Sequence, residues 1–482
     1  MNEVLLIDPS IELLSNFEDD SSIAFYSGKS VFHWEEKATQ RNSRRINYPK
    51  EIGKDAKIGQ IRRKLEWSMP IWYRWMGKSE DYDLYSRTCL LFILDLAQYL
   101  QELKVRYVIF STGVAHHVEY SLIEAACQAA NIPQIFLYAM PFGREARLLP
   151  LIQEEGISDR KLLALSLSKN NSEDSVKEYL KNFLGGYVPT ANEKIDWQAT
   201  SLIHAIFQVL YIELKSIVKK IIRWDKGVVK DAIDQRLDYD WSSLIGLVNR
   251  QKQALSYYLT KTVDCSRVDA VIAKEGRVPT IFAHYQPEAT TFPEGGNIAN
   301  HIDIVLEIRK KGYSGTIFYK EHPGSWIYYS KITGVSRVGL CRSIEYYKQL
   351  ESLGCVFLET SFKLQSNYIH SLFPVTITGS IAIERSLAGF ATCCAGQPWF
   401  KNAPGVYGFD ETFGANGIFA DVNRWYDVDK RGEEWFVSNL TYTTLTNIYG
   451  IGTGLPSSSA DKIADYLDEF ENLVKGLSDE RG

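Results

Sequence analysis

The chain lacks the features that define several common protein classes. It has no run of about 20 apolar residues, because its most apolar long stretch, residues 202–218, is broken by His204, Gln208, Glu213 and Lys215, so no membrane-spanning helix is expected. It has no basic excess either, since 54 Lys and Arg stand against 59 Asp and Glu, for a net charge of −5. That balance argues against a globally basic nucleic-acid-binding protein, and no nucleic-acid partner is expected. No internal repeat of fixed period is present.

Cysteine is sparse and scattered. The seven cysteines in 482 residues show neither the spacing of zinc ligands nor a regular disulfide framework, and their number is odd. This pattern is typical of reduced thiols in a cytosolic protein. Residues 1–8 contain neither the basic nor the long apolar region of a secretory signal. The expected location is therefore the cytoplasm.

What the sequence does contain is a βα rhythm in two places. A strand at 105–110, a helix at 119–130 and a strand at 134–138 predict a βαβ unit and a parallel sheet. The rhythm returns after residue 278, with strands predicted at 279–285, 316–319, 374–377 and 391–395 and with helices at 298–311 and 380–388. We therefore expect an α/β protein with two Rossmann-like domains whose sheets are parallel. The predicted division is 1–195 for the N-terminal domain, 196–265 for a helical insertion, 266–455 for the second domain and 456–482 for a C-terminal helix.

Two segments have an unusual composition. Residues 37–64 are rich in Lys and Arg, and Trp67, Trp72 and Trp75 follow them, which is a composition typical of a surface that meets phosphates or anionic lipid. The alternative is a solvated loop leading into a helix whose tryptophans fill the core. The helix predicted at 201–224 carries lysines on its polar side, and it is either an interdomain helix or a membrane-surface helix.

The first of three candidate loops follows the strand predicted at 279–285. Ligands of open parallel sheets bind beyond the carboxyl ends of the strands. The loop contains Glu288 beside two threonines, and a carboxylate there suits a general base, a nucleophile or a positioning acceptor. The alternative is a turn in which Glu288 caps a helix.

The second and third loops have the composition of a phosphate site. Lys320, His322 and Pro323 follow the strand at 316–319, and the lysine and histidine there can neutralise a phosphate or protonate a leaving oxygen, while the proline stiffens the loop. Gly379 and Ser380 open the helix at 380–388 and are expected to offer free backbone N–H groups and a hydroxyl. Glu384, one turn into that helix, suits a ribose hydroxyl; the alternative is an ion pair with Arg385.

These motifs carry a resemblance to a known family. The runs HYQPEATT, YKEHP, TGSIAIE and CAGQPWF resemble the bacterial capsule-polysaccharide biosynthesis proteins, which include the Kdo-transferase-like enzymes. The likeness covers about residues 275–410 and is weaker at 105–138. It implies the GT-B architecture, in which two Rossmann-like domains face each other across a cleft. It also implies that His322 and Pro323 bind the phosphate of a nucleotide sugar, that Gly379 and Ser380 hold the same phosphate, and that Glu288 lies near the anomeric carbon.

The acceptor side is expected in the N-terminal domain. His116, His117 and Glu119 follow the strand at 105–110, and His117 is a candidate for activating an acceptor hydroxyl, although structural histidines are the alternative. Arg144 is a further candidate for contact with an anion. A metal site is not expected, because no third ligand stands at a useful spacing from the two histidines.

The sequence therefore favours a metal-independent glycosyltransferase without a cofactor. Its expected donor is a nucleotide sugar, in the resembled family a CMP-activated acidic sugar such as Kdo, and its expected acceptor is a surface glycan or a lipid-linked saccharide. Peripheral contact with the inner face of the cell membrane is a further expectation. The alternatives are a nucleotide-sugar epimerase of the same two-domain architecture and a glycan-binding relative without activity.

Overall fold

The structure is a computed structural model, and its residues fall into two compact units. The first unit holds the described residues up to 185 and those after 430, and the second holds the described residues of 186–430. The described residues are 4–7, 23–26, 93–94, 96–110, 118–142, 145–153, 161–162, 173–184, 253–284, 295, 298, 300–322, 342–364, 368–414, 416–425, 432–442, 445–446 and 460–479.

The first unit is built on a mixed sheet of seven strands. The strands are β1 (Val4–Ile7), β2 (Ile23–Tyr26), β3 (Tyr107–Phe110), β4 (Gln134–Phe142), β5 (Glu145–Gln153), β6 (Lys161–Leu162) and β14 (Leu445–Thr446). Their order is β14-β5-β4-β3-β1-β2, with β6 also paired to β5. The pairs among β1, β2, β3 and β4 are parallel, as the βαβ pattern predicts. The pairs made by β5 are antiparallel, which the sequence does not predict.

The antiparallel half arises because β4 is longer than predicted. It runs on to Phe142 and pairs with β5 along its whole length, from Gln134 opposite Gln153 to Phe142 opposite Glu145. The helices of this unit are α1 (Val118–Ala130), α2 (Glu173–Leu184), α8 (Gly432–Tyr442) and α9 (Ala460–Asp479).

The end of the chain belongs to the first unit. The apolar side of α9 consists of Tyr466, Phe470, Leu473, Val474 and Leu477, and these side chains form one core with residues of β1, β3, β4 and β5. β14 pairs with β5 as well. The second unit therefore ends at residue 430, and not at 455 as predicted, because α9 packs on the first sheet and β14 pairs within it.

The second unit is built on a seven-stranded sheet in which every pair is parallel. Its strands are β7 (Thr262–Val263), β8 (Val278–Phe282), β9 (Ile317–Lys320), β10 (Cys355–Leu358), β11 (Leu372–Thr376), β12 (Thr392–Cys394) and β13 (Val406–Tyr407). Their order is β13-β12-β11-β8-β9-β10-β7. The α/β class is thus confirmed. The helices are α3 (Cys265–Glu275), α4 (His301–Lys310), α5 (Ile344–Ser352), α6 (Ile381–Leu387) and α7 (Phe409–Phe413).

The central strands are buried, as expected for a parallel sheet covered on both faces. The four residues 278–281 of β8 and all five residues of β11 are buried. Of the predicted helical insertion at 196–265, residues 253–261 are helical, and β7 and the first residue of α3 belong to the second unit. Residues 201–224, like the basic and aromatic segment 37–75, lie outside the described residues.

Helix α4 begins three residues later than predicted. Its N-cap is Asn300, whose side chain accepts hydrogen bonds from the N–H groups of Ile302 and Asp303, and the Asp303 carboxylate accepts from the Asn300 N–H in return. This reciprocal cap satisfies N–H groups that have no partner within the helix. The helix is followed by Gly312 at φ +92°, the residue predicted to end it.

Candidate functional site

The site lies at one edge of the second sheet. Strands β11, β8 and β9 are neighbours and run parallel, so their carboxyl ends meet at the same edge, which we call the ligand edge. Ligands of open parallel sheets bind at such an edge. The chain continues from the three strands into residues 283–284, 321–322 and 377–380, and these carry the polar side chains described below.

Besides Gly379, four residues predicted for the site are present at this edge. Lys320 and His322 stand at the end of β9, whereas Ser380 and Glu384 belong to the start of α6, after β11. The Ser380 hydroxyl donates to Glu384 Oε1 at 3.3 Å, and the charges of Lys320 and Glu384 act on each other. Ser380 is exposed and the other three are half-buried, so the group reaches solvent.

Six other predicted site residues lie wholly or partly outside the part of the chain that the structure describes. Glu288, Pro323, His116, His117 and Arg144 lie outside the described residues. Glu119 belongs to α1, and its side chain is also outside the described part.

Lys320 is a cation in a partly apolar setting. Its Nζ lies 5.9 Å from the centroid of the Phe282 ring. Burial lowers the pKa of Lys320 to about 8, although Glu321 and Glu384 act in the opposite direction. Burial likewise raises the pKa of Glu384, opposed by the Ser380 hydroxyl and by Lys320. Lys320 is therefore still charged at neutral pH, but close to the point at which it loses its proton.

His322 is a neutral imidazole at neutral pH. Burial, and then the charge of Lys320, lower its pKa to about 4. Its backbone N–H donates to Oε1 of Glu321 at 2.9 Å. A neutral ring carries one N–H donor, so His322 can donate a hydrogen bond to a phosphate oxygen without a charge of its own.

The turn after β11 differs from the prediction. The Thr378 N–H donates to Nε2 of His284 at 2.9 Å, and the Gly379 N–H donates to Oγ1 of Thr376 at 3.1 Å. The Gly379 N–H is therefore occupied by the protein itself and is not the free group that the sequence predicts. Ser380 also makes no side-chain cap on α6, which has only seven residues.

Close approach explains the glycine at this turn. A Cβ added to Gly379 would lie 2.6 Å from Oγ1 of Thr376 and 3.3 Å from Nε2 of His284. The first distance is shorter than real Cβ contacts allow, and the threonine side chain is too short to move away easily. Gly379 thus allows the strand-end turn to close on His284.

Beneath the edge lie two buried histidines that the sequence analysis does not single out. The His284 N–H donates to Nε2 of His301 at 2.9 Å, so this nitrogen has no proton. Nδ1 of His301 faces the Tyr346 hydroxyl at 3.4 Å and therefore acts as the donor. Burial lowers the pKa of His284 to about 3 and that of His301 well below its usual range, and the charge of Arg342 contributes in both cases.

The hydrogen-bond chain ends on a buried carboxylate. Tyr346 and Tyr319 share a hydrogen bond of 3.2 Å between their hydroxyls, and the Tyr319 hydroxyl donates to Oε2 of Glu321 at 3.0 Å. Arg342 donates to both oxygens of Glu321, from Nε at 2.6 Å and from its terminal nitrogen at 3.2 Å. Burial alone would raise the pKa of Glu321, but Arg342 and the hydrogen bonds outweigh it and hold the pKa below its usual value.

The sequence contains a local signal for part of this buried hydrogen-bond network. A strand of apolar residues ends in three consecutive ionisable residues, Lys320, Glu321 and His322, and alternation places the middle one opposite its neighbours. His301 and Arg342 carry no such local signal, because their partners lie 17 to 58 residues away in the chain.

The described residues have three further general features. They contain no group of three or more His, Cys, Asp or Glu able to hold a metal ion. Among the described helices, none combines the length and the apolar composition that a membrane span requires. A pocket of about 350 Å³ is lined by eight residues between Tyr407 and Arg424, and none of the predicted site residues lines it.

Comparisons with known proteins give little more. No protein-family model and no curated protein matches the chain. Among solved structures, S. aureus MnaA with UDP is 11% identical at a TM-score of 0.21, over 92% of this chain and 96% of that one. The UDP-GlcNAc 2-epimerase from Neisseria meningitidis bound to UDP-GlcNAc is also 11% identical at a TM-score of 0.21, over 91% and 99%. Such low scores assign neither a fold nor an activity, and what the described residues define is an α/β protein with a polar edge on a parallel sheet.

Proposed function

We propose that the protein is a nucleotide-sugar enzyme whose ligand edge binds the phosphate of the nucleotide. The observation that carries the proposal is that β9 leads into Lys320 and His322 and β11 leads into Ser380 at the same edge, where Glu384 interacts with the charge of Lys320 and accepts from the Ser380 hydroxyl. A cation, a neutral N–H donor and a hydroxyl together suit a phosphate. Because these groups are half-buried or exposed, they are accessible to a ligand that approaches from solvent.

Within this class we propose glycosyl transfer as the reaction, as the capsule-polysaccharide resemblance implies. An acceptor hydroxyl attacks the anomeric carbon, the bond from that carbon to the phosphate oxygen breaks, and the acceptor proton passes to a base. Lys320 stabilises the charge that develops on the leaving phosphate. The CMP-activated acidic sugar, the glycan or lipid-linked acceptor and contact with the inner membrane are parts of the same proposal.

Epimerisation of a nucleotide sugar is the second candidate. It is favoured by the pair Lys320 and Glu384, since burial moves the pKa of each toward neutral pH. Groups with such pKa values suit the removal and return of a proton. An epimerase changes the sugar without an acceptor, whereas a transferase releases nucleotide only when an acceptor is present.

A thermal-shift screen with CMP, UDP and GDP tests the binding step, because a ligand of the folded state raises the melting temperature. Lys320→Met removes the charge and keeps the apolar stem, and we expect it to weaken nucleotide binding about 10- to 100-fold, as for the loss of a charge-assisted hydrogen bond. Lys310→Met is the matched control, because Lys310 is an exposed lysine at the end of α4, paired with Glu307. The proposal fails if none of the three nucleotides binds, or if Lys320→Met binds as tightly as Lys310→Met.

Product analysis then separates the reactions. Purified protein is incubated with the nucleotide sugar whose nucleotide binds, first alone and then with a saccharide acceptor. Conversion of the sugar without acceptor identifies an epimerase, and nucleotide release that depends on acceptor identifies a transferase.

A further inference from the structure

Glu321 is a carboxylate with no exposed surface and many donors. Besides the two hydrogen bonds from Arg342, it accepts from the hydroxyls of Tyr319 at 3.0 Å and Tyr347 at 2.8 Å. It also accepts from the backbone N–H of His322 at 2.9 Å, so the carboxylate fixes the first residue of the loop that follows β9. Its own N–H donates to the Tyr258 hydroxyl at 3.0 Å.

Arg342 links this point to the neighbouring strand. Its side chain is fully buried, as is that of Glu321. Besides binding the carboxylate, its terminal nitrogen donates to the carbonyl of His284, just beyond the end of β8, at 3.2 Å. Its guanidinium carbon lies 4.7 Å from the centroid of the Tyr346 ring on α5. One planar cation thus joins the loops that follow β8 and β9.

Stability alone is a weak explanation for such a pair. Removing two charges from water costs free energy that their attraction only partly returns, and apolar residues of similar volume often replace buried ion pairs without loss. Glu321 also lies between Lys320 and His322 in the chain. The ring of His284, whose carbonyl binds Arg342, accepts a hydrogen bond at Nε2 from the Thr378 N–H in the turn after β11. The contacts of the pair therefore reach all three loops of the ligand edge.

We propose that Glu321 and Arg342 are positioning residues, which hold the His322 backbone and the His284 carbonyl at a fixed separation and so set the geometry of the ligand edge. The ligand part of this inference rests on the proposed nucleotide-binding function. Neither side chain reaches the surface, so both act through His322 and His284 and do not touch the ligand.

The test uses the full chain and the double variant Glu321→Met/Arg342→Met. It removes both charges together, so neither is left buried alone. The first readout is the pKa of the His322 ring, measured by NMR titration of protein labelled in its histidine rings. The His322 signal is assigned by its loss in His322→Asn. The second is the affinity for UDP, and the third is the melting temperature.

We expect the double variant to unfold cooperatively, with the pKa of His322 moving from about 4 toward the 6.5 of a solvated histidine and with UDP binding about tenfold weaker. Glu321 raises this pKa and Arg342 lowers it, so losing both charges together has opposing effects. A change in the exposure of the His322 ring is then the main cause of any shift. Tyr347→Phe is the matched control, since it removes a hydrogen bond from the same carboxylate without changing the contact to His322; it should move neither quantity.

Arg342→Lys guards against a double variant that fails to fold. Lysine keeps the charge opposite Glu321 but lacks the planar fork that reaches both Glu321 and the His284 carbonyl, so the same rise in the pKa of His322 is expected. The inference is overturned if the folded variants keep that pKa near 4, or if Tyr347→Phe raises it equally. If the pKa rises while wild-type protein binds no UDP, CMP or GDP, the positioning role stands and the proposed function fails.

Discussion

The backbone N–H of His284 donates a hydrogen bond to Nε2 of His301 across 2.9 Å. This contact fixes His301 in its neutral form, because a protonated ring would direct a second N–H at the first. The Thr378 N–H imposes the same condition on the ring of His284. Two buried rings of the second unit are therefore held without charge.

The first prediction concerns stability in mild acid. His284, His301 and His322 have a lowered pKa in the folded protein, so between the unfolded value near 6.5 and the folded values the unfolded chain binds more protons. The free energy of unfolding therefore decreases as the pH falls below about 6.5, by up to about 1.4 kcal/mol per pH unit for each histidine. Calorimetric melting temperatures between pH 7.5 and pH 5 measure the effect.

The matched control for this prediction is His370→Gln, because His370 is exposed. Between pH 7.5 and pH 5, the melting temperature of this variant should fall as much as that of the wild type. The melting temperature of His301→Gln should fall less over the same range. A melting temperature of the wild type that is constant between pH 7 and pH 5 would contradict the neutral state of the buried rings.

The second prediction concerns the pH dependence of nucleotide binding. Since Lys320 loses its proton near pH 8, and only the charged form attracts phosphate, nucleotide affinity should fall about tenfold between pH 7 and pH 9. Arginine stays charged throughout this range, so Lys320→Arg should bind with an affinity that changes little with pH. Titration calorimetry at several pH values compares the two proteins. Equal slopes for both would show that Lys320 is not the titrating group.

The third prediction concerns the turn at Gly379. Gly379→Ala places a methyl group against Thr376 and His284, and we expect a loss of about 1–3 kcal/mol in the free energy of unfolding, as for other overpacked sites. Ser380→Ala, one residue later and exposed, should change it by less than about 0.5 kcal/mol. Urea unfolding of the two variants gives the comparison. Similar values for both would mean that the close approach is absent.

The fourth prediction concerns the C-terminal helix. Leu473 is fully buried in the core of the first unit, so Leu473→Ala should cost about 2–5 kcal/mol there. We expect calorimetry to show a lowered transition for the first unit and an unchanged one for the second. If a nucleotide binds at the ligand edge as proposed, adding it raises the transition of the second unit and so identifies that transition. If Leu473→Ala lowered the transition that responds to nucleotide instead, the assignment of α9 to the first unit would be wrong.

The sequence predicts well those elements whose signals are local. The strands at 316–319 and 374–377 are found within one or two residues of their predicted limits, because apolar runs bounded by polar residues report burial directly. The start of α4 is less well predicted. The predicted start at 298 follows the apolar periodicity, whereas the observed N-cap is Asn300, because Asp303 completes the reciprocal cap there.

The part of the site that depends on residues far apart in the sequence could not be predicted from local patterns. The occupied N–H of Gly379 depends on the Thr376 hydroxyl and on how the turn closes, and the sequence shows only a glycine and a serine before a helix. Arg342 lies 21 residues from Glu321 and 58 from His284, and nothing in the local pattern pairs them. Likewise, an apolar helix face at 460–479 does not reveal which of two sheets it covers.

The path of the chain has a consequence for biosynthesis. The ribosome completes residues 186–430 before it makes 431–482, and these last residues include α9, which covers a face of the sheet begun by β1. The all-parallel sheet with its ligand edge can therefore fold before α9, which completes a core of the first unit, has been made. Until α9 is made, the apolar side chains of β1, β3 and β4 that pack against it lack this cover, and a premature stop after residue 430 would leave them without it.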